Sequence, residues 1–134
     1  MAIEGLIRIR SVHGPELTMN KVEAEVRARG MAVFARIDHQ AGAAALDLPL
    51  PATDLLIFGN AKAGTPLMQS VQSIGIDLPL KALVWQDDSG TTWLSYNDPA
   101  WLAQRHGLPA SNKPAIEAMS GALQAIAAKA TGHE

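Results

Sequence analysis

The sequence predicts an α+β domain, with a single mixed, mostly antiparallel sheet and helices packed on one face. Three observations carry that prediction. Stretches of period-two alternation are mixed with stretches of helical period, but not in strict alternation. Two strand-like stretches, Leu80 to Gln86 and Thr91 to Asn97, are joined only by Asp87-Asp88-Ser89-Gly90, so at least one pair must be antiparallel. No repeat or long linker divides the 134 residues, a length that fits one domain able to bury its own core.

Ile3 to Arg10 alternates, with Ile3, Gly5, Ile7 and Ile9 on one side and Glu4, Leu6, Arg8 and Arg10 on the other, which predicts a strand. Pro15 suits the first turn of a helix that continues from Glu16 to Arg29 and stops at Gly30. Met19, Val22 and Val26 form its narrow apolar stripe, and Glu23–Arg27 and Glu25–Arg29 are i,i+4 pairs on its wet side. Met31 to Ile37 is the second strand. From Gln40 to Ala52 the chain is rich in alanine and broken by proline, with a turn or two of helix expected between Ala43 and Leu48.

Asp54 to Phe58 is the third strand. Its consecutive Leu55, Leu56, Ile57 and Phe58 predict cover on both faces and a central place in the sheet. A loop from Gly59 to Gly64 follows, then a helix with Thr65 as cap, Pro66 as first residue, and Leu67, Met68 and Val71 as buried side. Ile74 to Pro79 leads to the hairpin, where Trp85 and Trp93 are placed to pair across the strands and Gly90 to take the positive φ of the turn. Asp98-Pro99 opens a short helix that runs through His106 and ends at Gly107. The last helix begins near Asn112 to Pro114 and reaches about Lys129. Ile116, Met119, Leu123, Ile126 and Ala130 make a seam on it, and the small residues Ala115, Ala118, Gly121, Ala122 and Ala125 allow close approach to the sheet or to a second subunit.

Composition narrows the function classes. A formal net charge of −2 argues against a general nucleic-acid binder, which needs a basic face. The absence of cysteine excludes disulfides, thiolate metal sites and cysteine nucleophiles. The start, MAIEGLIRIR, lacks the apolar core of a signal peptide, and no apolar run approaches the roughly 20 residues of a spanning helix. A cytoplasmic protein with neither a membrane nor a nucleic-acid partner is the expectation.

Three segments together, Ile57 to Met68 (IFGNAKAGTPLM), Ile76 to Asp87 (IDLPLKALVWQD) and Trp93 to Leu108 (WLSYNDPAWLAQRHGL), resemble the family called domain of unknown function 302. Arg36-Ile37-Asp38-His39 after a hydrophobic strand is similar to another of its recurrent pieces. The resemblance covers residues 1–108 of a single domain spanning 1–134, with the helix at 112–130 less characteristic. It implies a compact α+β domain arranged somewhat like the TATA-binding-protein fold and often found as a homodimer. It implies no activity.

No motif specifies a reaction, and no cofactor is expected. Gly59-Asn60-Ala61-Lys62-Ala63-Gly64-Thr65 has a glycine spacing like the start of a phosphate-binding P-loop, but that motif needs Lys then Ser/Thr directly after its second glycine. Here Thr65-Pro66 follows instead, and the proline removes a donor that would bind an anion. What survives is a strand–loop–helix corner with Asn60, Lys62 and Thr65, read either as a structural turn or as a site for a small, anionic ligand. Asp38 and His39 are candidates for a general base or for metal ligands. With His13 they would form a metal-binding edge if the first two strands were parallel neighbours. Tyr96, at a strand end beside Asn97 and Asp98, completes the candidate set of ligand-binding residues, and no Ser–His–Asp set can be assembled. The leading expectation is non-catalytic binding of a small ligand by a homodimer. A metal-dependent protein or enzyme using Asp38 and His39, and a partner-binding protein acting through its C-terminal helix, are the alternatives.

Overall fold

The computed structural model describes residues 2–134. Strands β1 (Leu6–Arg10), β2 (Ala32–Asp38), β3 (Thr53–Gly59), β4 (Leu80–Gln86) and β5 (Thr92–Asn97) form one five-stranded sheet in the order β1-β5-β4-β3-β2. Every neighbouring pair is antiparallel. Between and after the strands come α1 (Pro15–Ala28), α2 (His39–Ala44), α3 (Ala61–Ser70), α4 (Pro99–His106) and α5 (Lys113–Thr131), with 3-10 turns at Gln72–Ile76 and Ala110–Asn112.

Strand alternation decides what each face of the sheet carries. Leu56 and Phe58 of β3, Ala82 and Val84 of β4, and Leu94 and Tyr96 of β5 point to one side. There they meet Met19, Val22 and Val26 of α1 and Leu123, Ile126, Ala127 and Ala130 of α5. Burying each of the large aliphatic side chains is worth roughly 1.5–3 kcal/mol. The α1 stripe is thus as expected. The α5 seam is used inside the domain, which takes its centre away from any partner. A smaller cluster of Leu67, Ile74 and Ile116 joins α3, the Gln72–Ile76 turn and α5.

The hairpin follows the sequence closely. Trp85 and Trp93 are directly opposed and stack with ring centroids 6.3 Å apart, and Gly90 has φ +82°. Asp87 organises the turn, since its carboxylate accepts from the indole N–H of Trp93 at 2.9 Å and from the backbone N–H groups of Ser89 and Thr91. These bonds, the Trp93 bond first, hold its pKa below the ordinary value. Asp98 caps α4 by accepting from the Ala100 N–H, and Gly107 ends it.

Several expectations are corrected. β1 starts at Leu6, not Ile3, because Gly5 turns the chain with φ +77° directly under the Trp101 ring; a Cβ there would lie 2.3 Å from Trp101 Cδ2. α2 occupies His39–Ala44 and not Ala43–Leu48, because Asp38 caps it, its Oδ1 accepting from the Ala41 N–H at 2.9 Å. α3 begins at Ala61. Asn60 takes the cap assigned to Thr65, its side chain accepting from the Ala63 N–H at 2.7 Å, and Pro66 falls inside the helix. Asn caps at least as well as Thr, and the Ala61–Ala63 run favours helix from there on.

β3 lies inside the sheet between β4 and β2, as its apolar run predicts, but sheet order brings two further corrections. The outward residues Leu55 and Ile57 of β3 belong to neither core cluster, so the helical layers cover one face of that strand. β1 and β2 run in the same direction but sit at opposite edges, about 19 Å apart over four strand spacings.

Candidate functional site

At the end of β3 the chain passes through Gly59 and Asn60 into α3, and beside this corner lies a cavity of about 630 Å³. Its walls are α3, the start of β2, the Leu78–Leu80 segment and one side of α5. Leu78, Leu80, Met68 and Met119 make it apolar. Ala115, Ala118 and Ala122 of α5 also line it, so the small residues do not bring α5 against a neighbour there but leave room. Phe34, at the irregularity between Val33 and Ala35 of β2, is exposed and forms another part of the wall.

The rim is polar and basic. Asn60, Lys62 and Thr65 come together on it with Arg29 from the end of α1. Asn60 is occupied as the cap of α3. Arg29 is only loosely paired with Glu25, at 3.8 Å, and among the described residues Lys62 enters no ion pair. The first N–H groups of α3 have no intrahelical acceptor and add partial positive charge to the same rim. Among the described residues no carboxylate and no imidazole lines the cavity. It is therefore equipped to hold an apolar body and a negative group, and has no pair for general acid–base chemistry.

The other candidates lie elsewhere. Asp38 and His39 are at the far end of β2, roughly 20 Å along the strand from its cavity end. Asp38 caps α2, and His39 is the first, exposed residue of that helix. His13 follows β1 at the opposite edge of the sheet, so the proposed metal-binding edge does not form. Among the described residues no three of His, Asp or Glu gather as a metal site. Tyr96 is in the core, and burial, with Asp98 as a lesser cause, raises its phenol above the ordinary value.

One constellation had no sequence signal. The His106 ring lies between Ser73 and Asp77, with Nδ1 2.8 Å from the Ser73 hydroxyl and Nε2 2.5 Å from the Asp77 carboxylate. Arg105 grips the same carboxylate through both oxygens, at 2.8 and 2.9 Å. A carboxylate only accepts, so the proton on Nε2 faces Asp77. A Ser–His–Asp hydrolase uses the opposite ring nitrogens for these contacts, whereas here the Asp77 carboxylate is also paired with Arg105 Nη1 through both its oxygens. Neither the cavity above nor the smaller one beside Asn112 is lined by Ser73 or His106. The cluster clasps the Gln72–Ile76 turn to the end of α4. Its two halves, Ser73 with Asp77 and Arg105 with His106, are more than 25 positions apart in the chain, so no local spacing could have disclosed it.

Three proteins of Brucella share 52% identity with the chain over 115 residues, or 86% of its length. Two of them are the "Fluoride-specific ion channel FluC 1" of Brucella suis and "Fluoride-specific ion channel FluC 2" of Brucella melitensis. The match covers 45% and 43% of those two proteins, so the chain spans less than half the length of the curated relatives it matches. Among the described residues no helix is long and apolar enough to cross a membrane. A solved structure, "uncharacterized conserved protein DUF302 from Bacillus stearothermophilus", superposes with a TM-score of 0.84 over 96% of this chain and 99% of that one. At 17% identity it shows the same fold. With its sequence matching over residues 7–126, the chain belongs to the family described as Domain of unknown function DUF302.

Proposed function

We propose that the chain is a non-catalytic binding module, cytoplasmic and homodimeric, for a small ligand with an apolar body and an anionic end. One observation carries this reading: the cavity of about 630 Å³ has apolar walls and Lys62 and Arg29 at its rim. Its volume lies within the range of small-molecule sites. The homodimer is supported by Leu46, Leu48 and Leu50, three exposed leucines before β3 that a second copy would cover. Light scattering at the mass of one chain would remove that part.

A thermal-shift series with decanoate, decanol and decyl phosphate tests the site. Decanoate and decyl phosphate should stabilise more than decanol. Lys62→Ala should weaken both anions about three- to fivefold, the worth of one exposed ion pair. Ala118→Trp should abolish all three shifts by filling the cavity. Absence of any shift in the wild-type protein ends this reading.

The identity with the Brucella channels favours a second reading, in which the module serves a fluoride-specific channel. Reconstituted Brucella suis protein with and without its matching 115 residues gives the test. Equal fluoride flux in both, with and without decanoate, would rule it out.

A further inference from the structure

The face of the sheet that α1 and α5 leave open has a composition of its own. Register places Arg10, Trp93, Trp85 and Thr53 in one cross-strand row, and Arg8, Ser95, Leu83, Leu55 and Ile37 in the next. Beyond them lie Leu6 and Asn97 on one side and Lys81, Ile57 and Ala35 on the other. None of these residues belongs to either core cluster among the described residues. Across five strands the face is about 19 Å wide.

Charge distinguishes this face from the rest of the surface. The ion pairs of the molecule gather on the helices and around Asp54 and Asp77. Arg8, Arg10 and Lys81 enter none of them among the described residues. Arg8 lies over the Trp93 ring at 4.3 Å, and Lys81 gives one N–H to the Pro79 carbonyl at 3.3 Å. Asp87, which Arg8 also helps to keep charged, is engaged by the Trp93 indole and two backbone N–H groups and offsets one of the three cations. A chain of net charge −2 thus presents a sheet face of half-buried apolar and aromatic side chains, with Ile37 exposed, and an excess of cations.

We infer that this open sheet face docks on an anionic lipid bilayer. Tryptophan, leucine and isoleucine suit the interfacial zone, and arginine and lysine at its border are drawn to negative headgroups. The docking is peripheral, since the indole N–H groups of Trp85 and Trp93 are tied to Ser95 and Asp87, and among the described residues no helix is long and apolar enough to span a membrane. A second copy is a poorer occupant: face-to-face packing would add three more cations and supply no free carboxylate. The inference goes beyond the channel reading and agrees with it, but stands on the face alone.

Co-sedimentation of the full chain with vesicles tests it. Binding is expected to phosphatidylcholine vesicles containing phosphatidylglycerol and not to phosphatidylcholine alone, and it should weaken with salt. Arg10→Gln with Lys81→Gln should lower the partition roughly twentyfold, about fivefold per cation. Circular dichroism checks that this variant folds. Ala118→Trp, which blocks the cavity, should leave vesicle binding unchanged; loss of binding there would mean lipid capture in the cavity and would overturn the docking. Equal binding to both vesicle types, or full binding by the double variant, overturns it too. So does preferential binding of a single-stranded oligonucleotide through the same cations, or concentration-dependent burial of Trp85 and Trp93 in a dimer.

Discussion

Asp87 shows how one side chain can set a turn. Three donors favour its charged form, so its folded pKa is depressed. A group of that kind contributes stability above its unfolded pKa, and the contribution is lost as pH falls through the lower, folded one. Acidification below about pH 4 should therefore loosen the hairpin and shift the tryptophan fluorescence before the helices melt. Trp93→Phe removes the first-named donor and should flatten that acid response; an unchanged profile would mean the indole bond is unimportant. Gly5 is a steric counterpart. Gly5→Ala puts a methyl into the Trp101 ring at a positive φ, which should destabilise by about 2–4 kcal/mol in urea titration. Residues of this sort are partly legible. Gly90 and Asp98 announce themselves by their turn and cap chemistry, whereas Gly5 looked like a strand residue because its partner, Trp101, is far along the chain.

Among the elements, α3 and α4 carry the consequences. Asn60→Ala removes the cap of α3 and should cost about 1 kcal/mol in chemical denaturation, while Thr65→Ala, inside the helix, should be nearly neutral. Thr65-Pro66 matches the usual start of a helix, but the Asn60 cap and the helix-favouring Ala61–Ala63 run start it a full turn earlier, so Pro66 falls inside α3. His106→Ala should release the Gln72–Ile76 turn from α4 and leave Asp77 with Arg105 alone, a loss of about 1–3 kcal/mol. Faster amide exchange confined to that turn would distinguish a broken clasp from global destabilisation.

For the whole molecule, the layer arrangement was readable and the order of strands was not. Period two, period 3.6 and one short hairpin suffice for a sheet with helices on one face. Nothing in Ile3–Arg10 or Met31–Ile37 discloses that these strands occupy opposite edges, because pairing partners are chosen by tertiary packing. The same limit applies to the candidate site. Asn60, Lys62 and Thr65 line one cavity, a grouping visible in the sequence because they are neighbours in the chain. Asp38, His39 and His13 were joined by a topology that does not occur. The cavity itself depends on α5, whose small residues read equally well as close contact. Leu123, 3% exposed, is a direct test of where that helix packs. Leu123→Asp should unfold the domain rather than merely divide an oligomer, as read by circular dichroism.

The strand order also has a consequence in time. β1 is made first, yet its strand partner is β5, through pairs running from Leu6–Asn97 to Arg10–Trp93. At about 5–20 residues/s of synthesis, the amino-terminal strand waits on the order of ten seconds for the residues that complete it. During that interval Leu6, Ile7 and Ile9 lie on an unpaired edge, the kind of segment that chaperones hold and that neighbouring nascent chains can capture. Closure of the sheet is thus a late, long-range event, and the yield of folded protein should depend more on protecting the first ten residues than on any helix.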